Sequence, residues 1–314
     1  MAVWLITGAT AGLGAAVVNE VLRRGDKVVA TGRKVEERLA HLKTSDSVAL
    51  VELDVTAPLP EIKTQVDKAW AAFGHVDVLM NNAGMSAMKP AEEADVAFIK
   101  TMFEVNLFGQ MRVTQAILPH LRAQGHGRIA FTSSSTLWAP LPFMSHYASS
   151  KAALSTYVEA LHKELRPLGI QCVAIETGGL PTTLGQPRGG DAAGAAGAGF
   201  GAGGPSVEAY GPLFGALVGK MMKDPMAHMP GDVDKAAARV VDIAKREGAA
   251  GGKPWAVRVA LGSDGMGSAR QRCEEQLKLA ETWRDVSVST DREEGQTESV
   301  ANREMFEFTT VLEK

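Results

Sequence analysis

Cysteine is almost missing from this chain. Cys172 and Cys273 are the two present in 314 residues, far apart and in no C-x-x-C pair. That excludes a disulfide framework and a cysteine zinc site, and it fits a reducing compartment. A strong charge of either sign is missing too. The formal net charge of −3 lacks the basic surface that nucleic acid or an anionic membrane demands of a partner. No apolar run reaches the length of a membrane span. The opening MAVWLITGA is apolar, but it carries no basic leader and is interrupted at Gly8. It reads as a buried strand rather than a signal peptide. A cytoplasmic chain is expected. Histidines at metal-ligand spacing, H-E-x-x-H and G-x-S-x-G are all absent, so no metal site and no hydrolase elbow are expected.

What is present suits a soluble globular chain with a real core: 45% hydrophobic and 22% charged residues. Short apolar runs at 3–6, 27–31, 48–53, 76–80, 128–133 and 171–176 alternate with helical patterns at 13–24, 61–73, 96–121 and 147–165. Strands alternating with helices imply right-handed crossovers, and strands without a polar face imply cover on both sides. The predicted class is therefore α/β, a doubly wound, Rossmann-like parallel sheet. After residue 176 the alternation stops, and residues 185–204 carry nine glycines in twenty. Such a segment offers little apolar surface against its ordering entropy, so a mobile substrate loop, able to act as a lid, is expected there. Helices at 207–222, 232–246 and 268–283 and a last strand at 255–261 follow. The expectation is one domain over 1–284 with a substrate-side C-terminal elaboration, and a poorly ordered polar tail over 285–314.

The first strand runs into TGATAGLG, residues 7–14, with Gly8, Gly12 and Gly14 opening the first helix. The spacing is not G-x-G-x-x-G, and no P-loop lysine follows. The physical requirements for a dinucleotide are nevertheless met. Glycines allow a sharp turn and close approach of the backbone to a pyrophosphate, and the helix start offers free N–H groups. The second strand ends VVATGRK, with Arg33 and Lys34 where an acid would otherwise hold a ribose 2′-hydroxyl. Two cations suit a 2′-phosphate, so NADP(H) is expected rather than NAD(H).

Further along come LDV at 53–55, NNAG at 81–84, VN at 105–106, GRIAFTSSS at 127–135 and YASSK at 147–151. With the glycine turn, and in this order, the chain resembles the short-chain dehydrogenase/reductase family over about residues 1–183. The resemblance implies a catalytic set of Asn106, Ser134, Tyr147 and Lys151. The family's thirteen-residue spacing to the tyrosine selects Ser134 from three consecutive serines. It also implies that Gly8, Thr10, Leu13 and Gly14 line the pyrophosphate and adenosine path, and that Asp54 and Val55 contact adenine. Asn82, Ala83 and Gly84 would back the cofactor, while Leu180 and Thr182 would hold the nicotinamide amide. One position departs from the pattern: TGGLPTT places Thr177 where the family usually has proline, which frees the backbone and adds an N–H.

The chemistry follows from these side chains. A phenol with a pKa near ~10 is a poor acid–base group at neutral pH until something stabilises its phenolate. Lys151, one helical turn beyond Tyr147, can do so by its charge. Ser134 can orient a carbonyl and stabilise charge on its oxygen, and Asn106 can hold a water linking Lys151 to solvent. Trp138, Leu141, Phe143 and Met144, facing Met85 and Met88, are expected near a substrate mouth suited to a bulky apolar ketone or alcohol. A non-redox enzyme on the same scaffold, an epimerase or dehydratase, and a nucleotide-sensing protein are the alternatives. The resemblance further implies a homodimer or homotetramer.

Overall fold

In the computed structural model, which describes residues 1–43, 45–182, 184, 204–224 and 228–291, the apolar runs become strands β1 Val3–Ile6, β2 Lys27–Gly32, β3 Val48–Glu52, β4 Val78–Asn81, β5 Gly127–Ser134, β6 Ile170–Thr177 and β7 Arg258–Leu261. They form one seven-stranded sheet in the order β3-β2-β1-β4-β5-β6-β7. Every pairing is parallel. All four residues of β1 are buried, as are those of β4, which is why neither strand alternates polar with apolar. The order reverses between β1 and β4, and a doubly wound sheet opens a crevice at that point.

The helices are α1 Gly12–Arg23, α2 Val35–Arg38, α3 Leu59–Phe73, α4 Val96–Phe103, α5 Gly109–Gln124, α6 Ser145–Leu165, α7 Gly211–Lys223, α8 Val233–Lys245, α9 Ser263–Thr282 and α10 Arg284–Val288. On α1 the buried residues Leu13, Val17, Val18 and Val21 fall on one face, the stripe that a 3.6-residue period places against a sheet. α1 packs on α8, and α3 on α5. Two ion pairs tie the start of the chain to α8: Arg24 to Asp242 and Lys245 to Asp26, both at 2.7 Å.

Three boundaries differ from the sequence pattern. The single helix expected over 96–121 is interrupted by one π-helical turn, Glu104–Phe108, between α4 and α5. The last strand starts at Arg258 because Trp255 is held apart, its indole N–H donating to the Cys172 carbonyl at 2.9 Å. The last expected helix begins earlier, at Ser263, and α10 carries helix as far as Val288, past the expected start of the tail. The glycine-rich stretch 185–203 and the tail beyond 291 lie outside the described residues. Among the described residues no helix is long and apolar enough to cross a membrane, and no cluster of three His, Cys, Asp or Glu side chains could hold a metal.

Candidate active site

The crevice is built first by backbone. The Thr7 hydroxyl accepts from the amides of Asn82 at 2.9 Å and Ala83 at 3.1 Å, and the Asn82 amide group donates to the carbonyls of Thr7 and Gly8. The loop after β1 is thereby stitched to the loop after β4. Gly8 has φ of +64° and Gly12 of +55°, values that a side chain makes costly. A Cβ on Gly8 would lie 2.8 Å from Ala83 Cα, and one on Gly14 would lie 2.3 Å from the Gly8 carbonyl oxygen. The loops therefore meet only because these positions are glycine. The first turn of α1 has no side-chain cap and no acidic residue, so its N–H groups and dipole are left for an anion. That vacancy of charge fits a dinucleotide pyrophosphate.

Beyond the end of β2, Arg33 and Lys34 are exposed. Lys34 adopts a left-handed φ of +53°, turning the chain sharply out of β2. Two side chains without a sequence signal join them. Arg38 donates to the Thr10 hydroxyl at 3.3 Å, linking α2 to the glycine turn. Glu52, paired in register with Gly32, accepts from the backbone amides of Lys34 and Val35, the latter at 3.0 Å. The carboxylate missing from the end of β2 is thus supplied from the end of the neighbouring strand, on backbone rather than on a ribose. Asp54 accepts from the Thr56 amide and hydroxyl at 2.9 and 2.7 Å. Val55 is buried.

Ser134, Tyr147 and Lys151, the expected catalytic residues, lie at the end of β5 and the start of α6. Ser134 closes β5, and its hydroxyl lies close enough to the phenol of Tyr147, on the first turn of α6, to pull the phenol's pKa down. Thr136 donates to the same Ser134 oxygen at 3.0 Å. Ser133 points elsewhere, to Ser155 at 2.8 Å and the Lys151 carbonyl at 3.2 Å, as alternation along a strand requires. Tyr147 is 5% exposed and Lys151 2%. Burial pushes the Tyr147 phenol up, and the Ser134 hydroxyl pulls it the other way. Burial pushes the Lys151 ammonium down to about 8. Lys151 Nζ donates to the Thr132 carbonyl at 2.8 Å. An ammonium has three donors, so two are left beyond that bond.

Asn106 sits in the π turn, buried. Its amide oxygen accepts from the Met85 amide at 2.8 Å, and its nitrogen donates to the Met85 carbonyl at 2.9 Å and to Ser150 at 3.1 Å. The side chain thereby staples the loop after β4 to α6. A Cβ on Gly84 would stand 3.3 Å from Asn106 Oδ1 and 3.5 Å from Lys151 Nζ, so the two residues flank that glycine. On the far side Thr182 closes toward the glycine turn, its Cβ 3.4 Å from where a Gly12 Cβ would be. Leu180 is half-buried next to it.

The expected substrate residues divide. Met144 and Tyr147 are buried in one apolar cluster with Ala87, Met88, Phe98 and Met102, and Met85 and Phe143 pack on it. Phe143 holds φ of +67°, strained for a bulky side chain. It packs edge-on against Phe214 and Tyr210, at 5.3 and 6.2 Å between centroids. Phe214 and Leu217 bring α7 to this wall, a role that the α7 sequence does not reveal. Leu141 stays exposed. Trp138 belongs to another group: its indole N–H donates to buried Glu176 at 2.6 Å, and Arg258 lies over its ring at 4.4 Å.

Compared with known proteins, residues 2–192 match the family described as short chain dehydrogenase. The oxidoreductase BOA17 of Botryotinia fuckeliana is 36% identical over 182 residues, covering 57% of this chain and 66% of that protein. The NADPH-dependent 1-acyldihydroxyacetone phosphate reductase of Saccharomyces cerevisiae is 35% identical over 188 residues, covering 59% of this chain and 63% of that protein. Both matches span slightly less than two thirds of the relative's length. A short-chain dehydrogenase from Streptomyces avermitilis has the same fold at TM-score 0.74 and 30% identity, over 93% of this chain and 100% of that one.

Proposed function

The chain belongs to the short-chain dehydrogenase family, and from that premise we propose that it is an NADP(H)-dependent oxidoreductase interconverting a bulky, largely apolar ketone and its secondary alcohol. One observation carries the reading: a buried serine–tyrosine pair with a lysine one helical turn on, beside an uncapped, acid-free helix start at the switch point of the sheet. When bound, the nicotinamide supplies or accepts the hydride. Gly8, Gly12, Leu13 and Gly14 would receive the pyrophosphate, and Arg33, Lys34 and Arg38 the adenosine 2′-phosphate. Asp54 and Val55 would meet the adenine, Asn82, Ala83 and Gly84 would back the dinucleotide, and Leu180 and Thr182 would hold the nicotinamide amide.

In reduction Tyr147 gives its phenolic proton to the carbonyl oxygen as charge develops there, and Ser134 donates a hydrogen bond to that oxygen. Lys151, one helical turn on, would favour through its charge the phenolate that Tyr147 becomes. Its two remaining N–H donors would hold the ribose of the bound nucleotide. Asn106 acts on this set through Met85 and Ser150, keeping the loop after β4 against α6. The apolar wall of Met85, Met88, Phe143, Met144 and Phe214 excludes water and favours a large hydrophobic substituent. The same reading expects a cytoplasmic homodimer or homotetramer, with exposed Phe108 at the α4–α5 junction as a contact between copies.

The test is consumption of NADPH and of NADH by the purified full chain against a panel of ketones of increasing apolar bulk. One equivalent of NADPH oxidised per alcohol formed, with bulky ketones preferred, is the expected result. Rearranged or dehydrated product formed without net nucleotide oxidation would replace this reading with the epimerase or dehydratase alternative.

A further inference from the structure

Thr177 stands where the family usually has proline, so the segment that leads to Leu180 and Thr182 lacks that residue's stiffness. The structure shows what holds it instead. The Gly178 amide donates to the Leu261 carbonyl at 2.7 Å, extending the β6–β7 ladder. The Thr177 hydroxyl donates to the Ser133 carbonyl at 3.3 Å. Gly179 is gripped on both sides. Its amide donates to Asp264 Oδ2 at 2.7 Å, and its carbonyl accepts from the Gly231 amide at 3.0 Å.

The fit around Asp264 is tight. A Cβ on Gly178 would fall 2.1 Å from Asp264 Oδ1, and one on Gly262 would fall 2.5 Å from it. That oxygen is buried with no hydrogen-bond partner among the described residues. An unpartnered buried carboxylate oxygen is costly and persists where something else is gained. Gly231 is equally constrained, because a Cβ there would lie 2.8 Å from the Gly179 carbonyl oxygen and 2.5 Å from Leu180 Cδ2. A cavity of about 160 Å³ borders both residues, which gives the segment somewhere to move if released.

We propose that Asp264 and Gly231 are positioning residues for the nicotinamide: together they clamp the Gly179 peptide and set the path of Leu180 and Thr182. Both come from the C-terminal part of the chain, outside residues 2–192 that match the family. The clamp holds the loop in a binding-competent form, so less ordering is left to be done when the nucleotide binds. This inference rests on the cofactor reading above, and two separate measurements keep their failures apart.

The first needs no nucleotide. Amide hydrogen exchange of the full chain should rise at least tenfold across 177–182 in Asp264→Ala, with no change in the glycine turn at 7–14. Unchanged exchange at 177–182 overturns the clamp. The second is binding. Asp264→Ala should weaken NADPH about tenfold, the loss of one charge-assisted hydrogen bond. It should leave 2′,5′-ADP, which has no nicotinamide, within twofold of wild type. Asp264→Asn keeps an acceptor oxygen and should bind NADPH within about threefold. Equal weakening of both nucleotides, unchanged NADPH binding, or an Asn variant as weak as the Ala variant overturns the proposal. Gly231→Ala pushes on the same peptide from the other side and should reproduce the split. It decides the matter if Asp264→Ala does not fold, and the absence of that split in Gly231→Ala overturns the proposal. A wild-type chain that binds no NADPH refutes the cofactor reading, and the exchange experiment alone then judges the clamp.

Discussion

At the end of the crevice proposed for adenosine, Arg33, Lys34 and Arg38 stand exposed on a turn and a four-residue helix. At the end proposed for nicotinamide, Ser134, Tyr147 and Lys151 are nearly sealed from solvent. The first side can change its charges without touching the core, and its interactions are screened by salt. On the second side every polar group is also part of the fold, so protonation and stability are linked there. Selectivity between cofactors and chemical competence are therefore separable by mutation.

The sharpest break is at Tyr147. Tyr147→Phe should lower turnover by on the order of 10³-fold, while NADPH affinity, measured by fluorescence titration, stays within about threefold. Loss of binding in place of turnover would mean that the tyrosine belongs to the binding side. Next comes Glu176, whose carboxylate joins Trp138 and Arg258 behind the site. Glu176→Ala should cost about 2 kcal/mol in denaturant unfolding, because it leaves the Trp138 indole N–H unpaired and Arg258 with Glu159 as its one remaining carboxylate.

Lys151→Met should separate stability from function in the opposite direction. Burial lowers the Lys151 pKa from 10.5 to about 8, so the folded protein carries a penalty for the charged ammonium below pH ~8. Wild-type stability should rise from about pH 8 to about pH 10.5 as the folded state sheds that proton first. At pH 7 the variant should be inactive yet more stable by up to about 2 kcal/mol, after allowance for the lost bond to Thr132. That gain should vanish by pH ~10.5 in a series of unfolding curves. The smallest effect is at the exposed side. Arg38→Ala should weaken NADPH by roughly fivefold, with NADH unchanged and the difference shrinking at high salt.

The sheet was readable because buried parallel strands leave near-continuous apolar runs such as VWLI and QCVAIE, and the glycine turn because backbone approach demands glycine at fixed places. The grouping of Ser134, Tyr147 and Lys151 was an expectation that came from the family resemblance, with only the Tyr147–Lys151 helical spacing visible in the residues themselves. What could not be read depends on pairs distant in sequence. Trp138 looks like a substrate residue until Glu176 and Arg258, on two different strands, are seen to hold it. Glu52 gains its place only from the β2–β3 register. The π turn at Asn106 has no periodicity signal, since one extra residue in a helical turn leaves the apolar pattern on either side intact.

The Gly179 grip has a consequence in time. A chain made from its N-terminus has residues 1–182 in hand, including the glycine turn, the tyrosine and the lysine, long before Gly231 and Asp264 exist. The helix that covers α1 and the strand that pairs with β6 arrive in the same late stretch of chain. On the proposed reading, a chain truncated before Asp264 would lack the hold on the peptide that leads to Leu180 and Thr182.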